Sequence, residues 1–301
     1  MNAPIRIVMS ADRNYLIPLE IALASVRHNL PHKYSLNLTV LSADLTATDI
    51  GWRNKGSDDS LTVTRPFLPE RTRTPISGHI SRAAYFRLCL EYLIVPEITR
   101  VIYLDCDLVV NKDISELWAA DLCGKIIGAV EDYSLGGWDH PGQRSLLDLL
   151  NQEPILPYFN SGVLVIDTER WRSCGVMGRA FDFINAHPTA VPLWDQDALN
   201  AVLCDNWHQL DPRWNRPSNY RWLRDRGKLR FSEDQVHSLD SPYVFHFVSG
   251  SKPWSEYRHP DKAVFDHYAR IAGHSDFRFT LPKAILRKAK SILSRPPTSA
   301  R

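Results

Sequence analysis

The chain has 301 residues, 44% of them hydrophobic, and 36 Lys and Arg against 34 Asp and Glu give a formal net charge of +2. That length suits one large α/β domain or two smaller ones, and the balanced charge excludes a disordered chain and a general nucleic-acid binder. Five cysteines without a C-x-x-C pair argue against a disulfide framework or zinc ribbon and for a reducing compartment, while no apolar run of about 18 residues or secretion-type N-terminus is present.

In chain order, Ile5–Ser10 reads as a strand, Leu16–His28 as a helix, Leu36–Leu41 as a strand with alternating apolar residues, Thr46–Trp52 as a helix opening and Leu61–Val63 as a strand. Pro66–Gly78 carries three prolines and no periodicity, which predicts a loop. Ser81–Tyr92 has helical spacing. Val101–Leu104 is short and apolar at every position, as expected of a strand buried on both faces; Ile126–Val130 and Gly162–Ile166 are similar. Strands alternating with helices predict a mostly parallel sheet covered on both faces. Tryptophans gather later, at 207, 214, 222 and 254, in loop-rich stretches suited to a substrate pocket or equally to a core.

The end of the chain differs. Six basic residues and no acidic one lie between Lys283 and Arg301, so the rest holds 30 basic against 34 acidic residues. Ile285, Leu286, Ala289, Ile292 and Leu293 share one helical face opposite Lys283, Arg287 and Lys290. A helix of that kind suits an anionic membrane surface, or simply a solvated helix with a core-facing stripe. Pro296–Ser299 reads as a disordered end.

Chemistry is suggested first by Asp105-Cys106-Asp107, directly after the buried strand Val101–Leu104. Ligands of open α/β sheets bind beyond the carboxyl ends of the strands. Residues i and i+2 of an extended chain face the same side, so both carboxylates converge, and such a pair repels unless a cation neutralises it. Hard oxygen ligands suit Mg²⁺ or Mn²⁺; the plainer reading is two solvated turn carboxylates. His246 lies on an apolar strand, where a histidine is a metal ligand or a satisfied core residue. A turn of small residues ending in Lys252 follows it and suits an anionic diphosphate. Trp194-Asp195-Gln196-Asp197 opens a helix over Ala198–Cys204, and its acidic residues alone would read as helix capping. Asn160 and Gly162 allow close approach to a sugar or make a turn; Asp12 and Asn14 follow the first strand, as nucleotide contacts or turn residues.

Taken in order, these segments resemble the family 8 glycosyltransferases, and within them the bacterial lipooligosaccharide and lipopolysaccharide hexosyltransferases. The resemblance runs from about Ile5 to Trp254 and rests on Ser10–Tyr15, Ser81–Leu88, Tyr103–Asp107, Tyr158–Val163, Trp194–Asp197 and the segment from His246 to Trp254. It implies a GT-A fold in a catalytic domain over residues 1–275, with residues 276–301 as a basic tail on the inner face of the plasma membrane of a cytoplasmic enzyme. The implied reaction moves galactose or glucose from a UDP-sugar to a hydroxyl of a glycan or lipid-linked glycan, with retention at the anomeric carbon. Asp105, Asp107 and His246 are implied as ligands of Mn²⁺ or Mg²⁺. Asp12 and Asn14 would contact uracil and ribose, Arg87 and Lys252 the diphosphate region, Asn160 and Ser161 the donor sugar, and Asp132, Asp195 and Gln196 the reacting face. One departure stands out: the family's glycine three residues after the histidine is Ser249 here, with glycine one later at Gly250. Rival readings are an aspartate-nucleophile Mg²⁺ phosphatase, a non-catalytic sugar-nucleotide-binding subunit and a self-glucosylating glycogen primer.

Overall fold

The computed structural model of the chain describes residues 3–52, 58–68, 82–93, 95–133, 141–150, 157–229, 231–248 and 250–277. Ten strands are seen there: β1 (Ile5–Ser10), β2 (Leu36–Leu41), β3 (Ser60–Thr64), β4 (Arg100–Leu104), β5 (Leu108–Val110), β6 (Ile127–Glu131), β7 (Phe159–Asp167), β8 (Trp207–Gln209), β9 (Arg216–Pro217) and β10 (Val244–His246). Seven form the main sheet, in the order β3-β2-β1-β4-β7-β6-β8. Its strands run parallel apart from β7, which is antiparallel to both β4 and β6.

Alternation along the strands sends their side chains to two cores. Ile7, Met9, Ile102 and Leu104 enter one with the helix Leu16–Asn29, whereas Val8, Val101 and Tyr103 enter the other with the helix Val176–Ala186. The unbroken apolar run Val101–Leu104 of β4 follows directly from this double burial. The fold is therefore the mostly parallel, doubly covered sheet that the alternating pattern predicts.

The reversed strand decides where the site lies. Because β7 runs against its neighbours, its first residues reach the same edge as the last residues of β4 and β6. Leu104 pairs with Val163, and Asp105 N–H donates to Gly162 O at 2.8 Å. A small second sheet, β5-β10-β9, brings in distant chain: His246 pairs antiparallel with Leu108 and parallel with Pro217.

Some elements differ from expectation. Thr46–Trp52 is a turn and extended chain, since the Asp49 carboxylate accepts from Thr46 N (2.8 Å) and Thr46 Oγ1 (2.6 Å) and so replaces helical bonds with a local cap. Within Ser81–Tyr92 the helix is a 3-10 helix, Arg82–Cys89, before a short α-helix Leu90–Leu93; Arg87 Nε donates back to Ala84 O at 3.2 Å within it. β7 starts at Phe159, so Asn160 and Gly162 belong to a strand and not to a turn. The helix after Trp194 starts at Asp195, three residues earlier than its apolar pattern indicates. Among the described residues no helix is long and apolar enough to cross a membrane. The basic tail from residue 278 onward, the greater part of the Pro66–Gly78 segment and Ser249 lie outside the described residues.

Candidate active site

Asp105 and Asp107 leave the end of β4, and Phe247 N–H donates to Asp107 O at 2.9 Å, which draws His246 beside them. His246 Nε2 stands 3.3 Å from Asp107 Oδ1 and 3.7 Å from Asp105 Oδ2. One ligand atom from each residue lies within 4.8 Å of the other two, the grouping a divalent ion requires. His246 is buried, while the Asp105 and Asp107 side chains keep 21% and 19% of their surface exposed, enough for an ion to enter from solvent. Two carboxylates and one imidazole suit a hard or borderline cation such as Mg²⁺ or Mn²⁺, so the donor set fits the implied metal.

Cations of the chain itself flank this group. Buried Arg87 spans the second side: Nη2 meets Asp105 Oδ1 at 2.7 Å, Nε meets Asp195 Oδ2 at 2.8 Å, and Nη1 donates to Ser161 O (2.6 Å) and Oγ (2.8 Å). Burial works against the guanidinium charge, but Asp105 and Asp195 outweigh it and keep Arg87 protonated. Lys252 Nζ pairs with Asp107 Oδ2 at 2.6 Å and also donates to Phe247 O. Burial raises the Asp107 pKa, yet Lys252 and His246 more than reverse that and hold it well below the usual carboxylate range.

A polar network continues along the opening of β7. Asn160 Nδ2 and Gln196 Nε2 both donate to Asp132 Oδ2, at 3.0 and 2.9 Å, while Gln196 Oε1 accepts from Ser161 N–H at 3.0 Å. Asp132 follows β6, and Asp195 and Gln196 open the helix Asp195–Leu203. Trp194 precedes that helix with φ 51°, a left-handed conformation that costs a non-glycine residue about 1–3 kcal/mol and directs Asp195 and Gln196 inward. Asp197 turns away: its oxygens accept from Tyr158 Oη (2.7 Å) and Leu193 N–H (2.5 Å), a purely structural duty.

Asp12 plays a double part. Its Oδ1 caps the turn at Asn14 N and Tyr15 N, and the residue also lines a cleft of about 140 Å³ with Tyr15, Arg87, Tyr103, Asp105 and Asp107. Asn14 is exposed and does not line that cleft. Ser161 faces Arg87 and Asp195, not open space. Three residues were not singled out for these parts from the sequence: Asn215, whose Oδ1 lies 2.8 Å from His246 Nδ1; Tyr103, whose hydroxyl reaches Asp105 at 3.2 Å; and Gly162, which makes room between them all. No local spacing marks Asn215 and Gly162 because both act across strands, and Tyr103, two residues before Asp105, reads only as part of the apolar run of β4.

The family model of glycosyl transferase family 8 matches residues 6–258. The chain belongs to glycosyl transferase family 8. It is therefore a glycosyltransferase, and it is 35% identical over 271 residues to general stress protein A of Bacillus subtilis, across 87% of this chain and 92% of that protein. Identity to the lipopolysaccharide 1,2-glucosyltransferase of Escherichia coli is 27%, over 59% of this chain and 50% of that one. Among solved structures, an active-site mutant of LgtC superposes with a TM-score of 0.72 at 23% identity, covering 93% of this chain and 98% of that one. The galactosyltransferase LgtC with donor and acceptor sugar analogues gives 0.70 over 94% and 100%, at 23% identity. The family 8 chain thus has the GT-A fold of those structures.

A pH dependence follows from Asp195. Burial raises its carboxyl, Arg87 lowers it and Asp105 raises it again, to about 6 against an ordinary 3.8. A folded value above the unfolded one means that its burial costs most stability above pH 6 and less as pH falls toward 3.8. If Asp195 serves catalysis, activity is expected to run the other way, because a protonated Asp195 loses its pair with Arg87. A kcat/KM profile is expected to fall on the acid side with an apparent pKa no higher than about 6, since a cation on Asp105 cancels one raising charge; Asp195→Asn should remove that limb.

Proposed function

We propose that this family 8 glycosyltransferase moves a hexose, galactose or glucose, from a UDP-sugar to a hydroxyl of a glycan or lipid-linked glycan, with retention of configuration. The observation that carries the reading is the convergence of Asp105, Asp107 and His246 beside a cleft that Asp12 and Arg87 line. Residues 1–275 form the catalytic unit, and the basic tail 276–301 takes a peripheral position on the cytoplasmic face of an anionic membrane. Names among the relatives, a lipopolysaccharide glucosyltransferase and a galactosyltransferase bound to sugar analogues, support this choice of substrates.

Asp105, Asp107 and His246 would hold Mn²⁺ or Mg²⁺, which when bound offsets the negative charge developing on the departing diphosphate. Lys252 adds a positive charge at the same end, and Arg87 a second one. Asp12, which lines the cleft, and Asn14, which stands outside it, would contact the nucleoside. Asp132 and Asn160, joined through one hydrogen bond, offer acceptors and donors to sugar hydroxyls, and Ser161 supports them by holding Arg87.

Both ends of the Gln196 amide are engaged, Oε1 by Ser161 N–H and Nε2 by Asp132, and its oxygen is uncharged. Asp195 Oδ2 is bound by Arg87 and Ser161. Neither is poised as a nucleophile, which supports attack by the acceptor hydroxyl on the face the diphosphate leaves. The anomeric C–O bond to phosphate breaks, the bond to the acceptor oxygen forms, and the acceptor proton passes to a departing phosphate oxygen. NMR of the product from a UDP-α-hexose should show an α-linkage; a β-linkage would refute retention. Mass spectrometry with a fluorinated donor should show no glycosyl adduct, and a stoichiometric adduct on Asp195 or Gln196 would refute same-face attack.

Lys252 and a bound cation share Asp107. Replacing Lys252 with Ala is therefore expected to tighten Mn²⁺ binding measured without donor, while weakening UDP-sugar binding measured with saturating Mn²⁺. Isothermal titrations of both ligands check the opposite signs.

A further inference from the structure

Asn215 is buried, directly before β9, and belongs to none of the segments on which the family resemblance rests. We propose that it is a positioning residue that holds the His246 ring with Nε2 turned to Asp105 and Asp107. The inference rests on the reading of those three residues as metal ligands and names what keeps the only nitrogen ligand among them in place.

Hydrogen-bond polarity leaves one arrangement. A backbone N–H can only donate, so Gly162 N–H fixes Asn160 Oδ1 as an acceptor at 2.9 Å, and Asn160 Nδ2 then faces the Asp132 carboxylate at 3.0 Å. Asn160 is thereby pinned at both ends against an amide flip. Asn215 Nδ2 donates to the same Asn160 Oδ1 at 2.8 Å, which leaves Asn215 Oδ1 facing His246 Nδ1 at 2.8 Å. An amide oxygen only accepts, so Nδ1 carries a hydrogen, and in the neutral ring Nε2 is then the nitrogen with a lone pair to offer. The backbone supports the same geometry: His246 pairs with Pro217, and Ser218 N–H donates to His246 O at 2.9 Å. The chain Gly162–Asn160–Asn215–His246 is thus a rigid bracket from the start of β7 to a metal ligand, with Asp132 on its other end. Partners of this kind, in contact with a ligating histidine, typically contribute 10–100-fold in metal affinity.

The test is calorimetric titration of the full chain with Mn²⁺ alone, comparing wild type with Asn215→Leu, Asn215→Ala, Asn215→Asp, His246→Ala and the double variant Asn215→Leu/His246→Ala, each first checked for a cooperative melt. The expected result is a loss of about 10–100-fold for the leucine and alanine variants, both of which lack the acceptor. Asn215→Asp keeps an acceptor oxygen for Nδ1 but loses the donor to Asn160 Oδ1, and is expected to bind more tightly than the leucine and alanine variants. In the His246→Ala background, Asn215→Leu should cost nothing further, because its action runs through the ring. Alanine leaves space and avoids overpacking, so it carries the test if the leucine variant does not fold. Equal Mn²⁺ affinity in wild type and Asn215→Ala, or the same loss with and without His246, would overturn the inference. Absence of Mn²⁺ binding by wild type would overturn the metal reading itself.

Discussion

Gly162→Ala is expected to abolish most activity while leaving the sheet intact. A Cβ at this position would overlap His246 Cε1 and stand 2.7 Å from Asp105 Oδ2 and 3.0 Å from Asn160 Oδ1. All three neighbours are held: His246 by Asn215, Asp105 by Arg87 and Tyr103, and Asn160 by Gly162 N–H and Asp132. The methyl must therefore push two candidate ligands apart or shift β7 itself. Forcing a methyl into such packing costs about 1–3 kcal/mol of stability. A displacement of about 1 Å at a reacting centre costs about 100-fold in rate. Turnover should fall by roughly that factor, with Mn²⁺ affinity falling alongside it. Unchanged turnover and metal affinity in a folded Gly162→Ala protein would contradict the placement of His246 against Asp105.

Arg87→Met should be the most destabilising single change at the site. Its guanidinium is buried, stacks at 4.7 Å over the Tyr103 ring and is the shared partner of Asp105 and Asp195. Removing one side of a buried ion pair typically costs about 3–5 kcal/mol, a large part of the total stability of a domain, about 5–15 kcal/mol. With Arg87 gone, burial and Asp105 both push the Asp195 carboxyl upward, so the variant should take up a proton at neutral pH. The stability deficit measured by urea denaturation should accordingly be smaller near pH 5 than at pH 8. Arg87→Lys should recover only part of it, because one ammonium cannot reach Asp105, Asp195 and Ser161 in the same fork geometry. An Arg87→Met protein as stable as wild type at pH 8 would contradict the role of this triad.

The legible parts of the molecule are those written in local pattern. Val101–Leu104 of β4 is apolar at every residue because both its faces are covered, and that same run locates Asp105 and Asp107 at a strand end. His246 is different. On its own strand it is indistinguishable from a core histidine, and only its pairing with Leu108, far away in sequence, makes it a neighbour of Asp107. The ordered resemblance of motifs supplied what spacing alone did not. In sequence Gly162 reads as a flexible residue that approaches a sugar or makes a turn, whereas its work is steric and falls between two side chains from other elements. Asn215 carried no signal because its partners come from β7 and β10. The helix expected at Thr46–Trp52 failed for a local reason, the side-chain cap at Asp49.

The central claim is that Asp105, Asp107 and His246 make a cation site through which a UDP-hexose is held. Its most direct measurement is the thermal stability and slow hydrolysis of UDP-galactose, UDP-glucose and UDP-N-acetylglucosamine with wild type and Asp107→Ala, each with Mn²⁺ or with EDTA. A ligand present at 100 times its Kd adds about 2.7 kcal/mol to the folded state. One UDP-hexose should stabilise and be hydrolysed by the wild-type protein with Mn²⁺ alone, and neither effect should survive EDTA or Asp107→Ala. Stabilisation that is the same with EDTA, or no shift from any of the three sugar nucleotides with Mn²⁺ present, would contradict the claim.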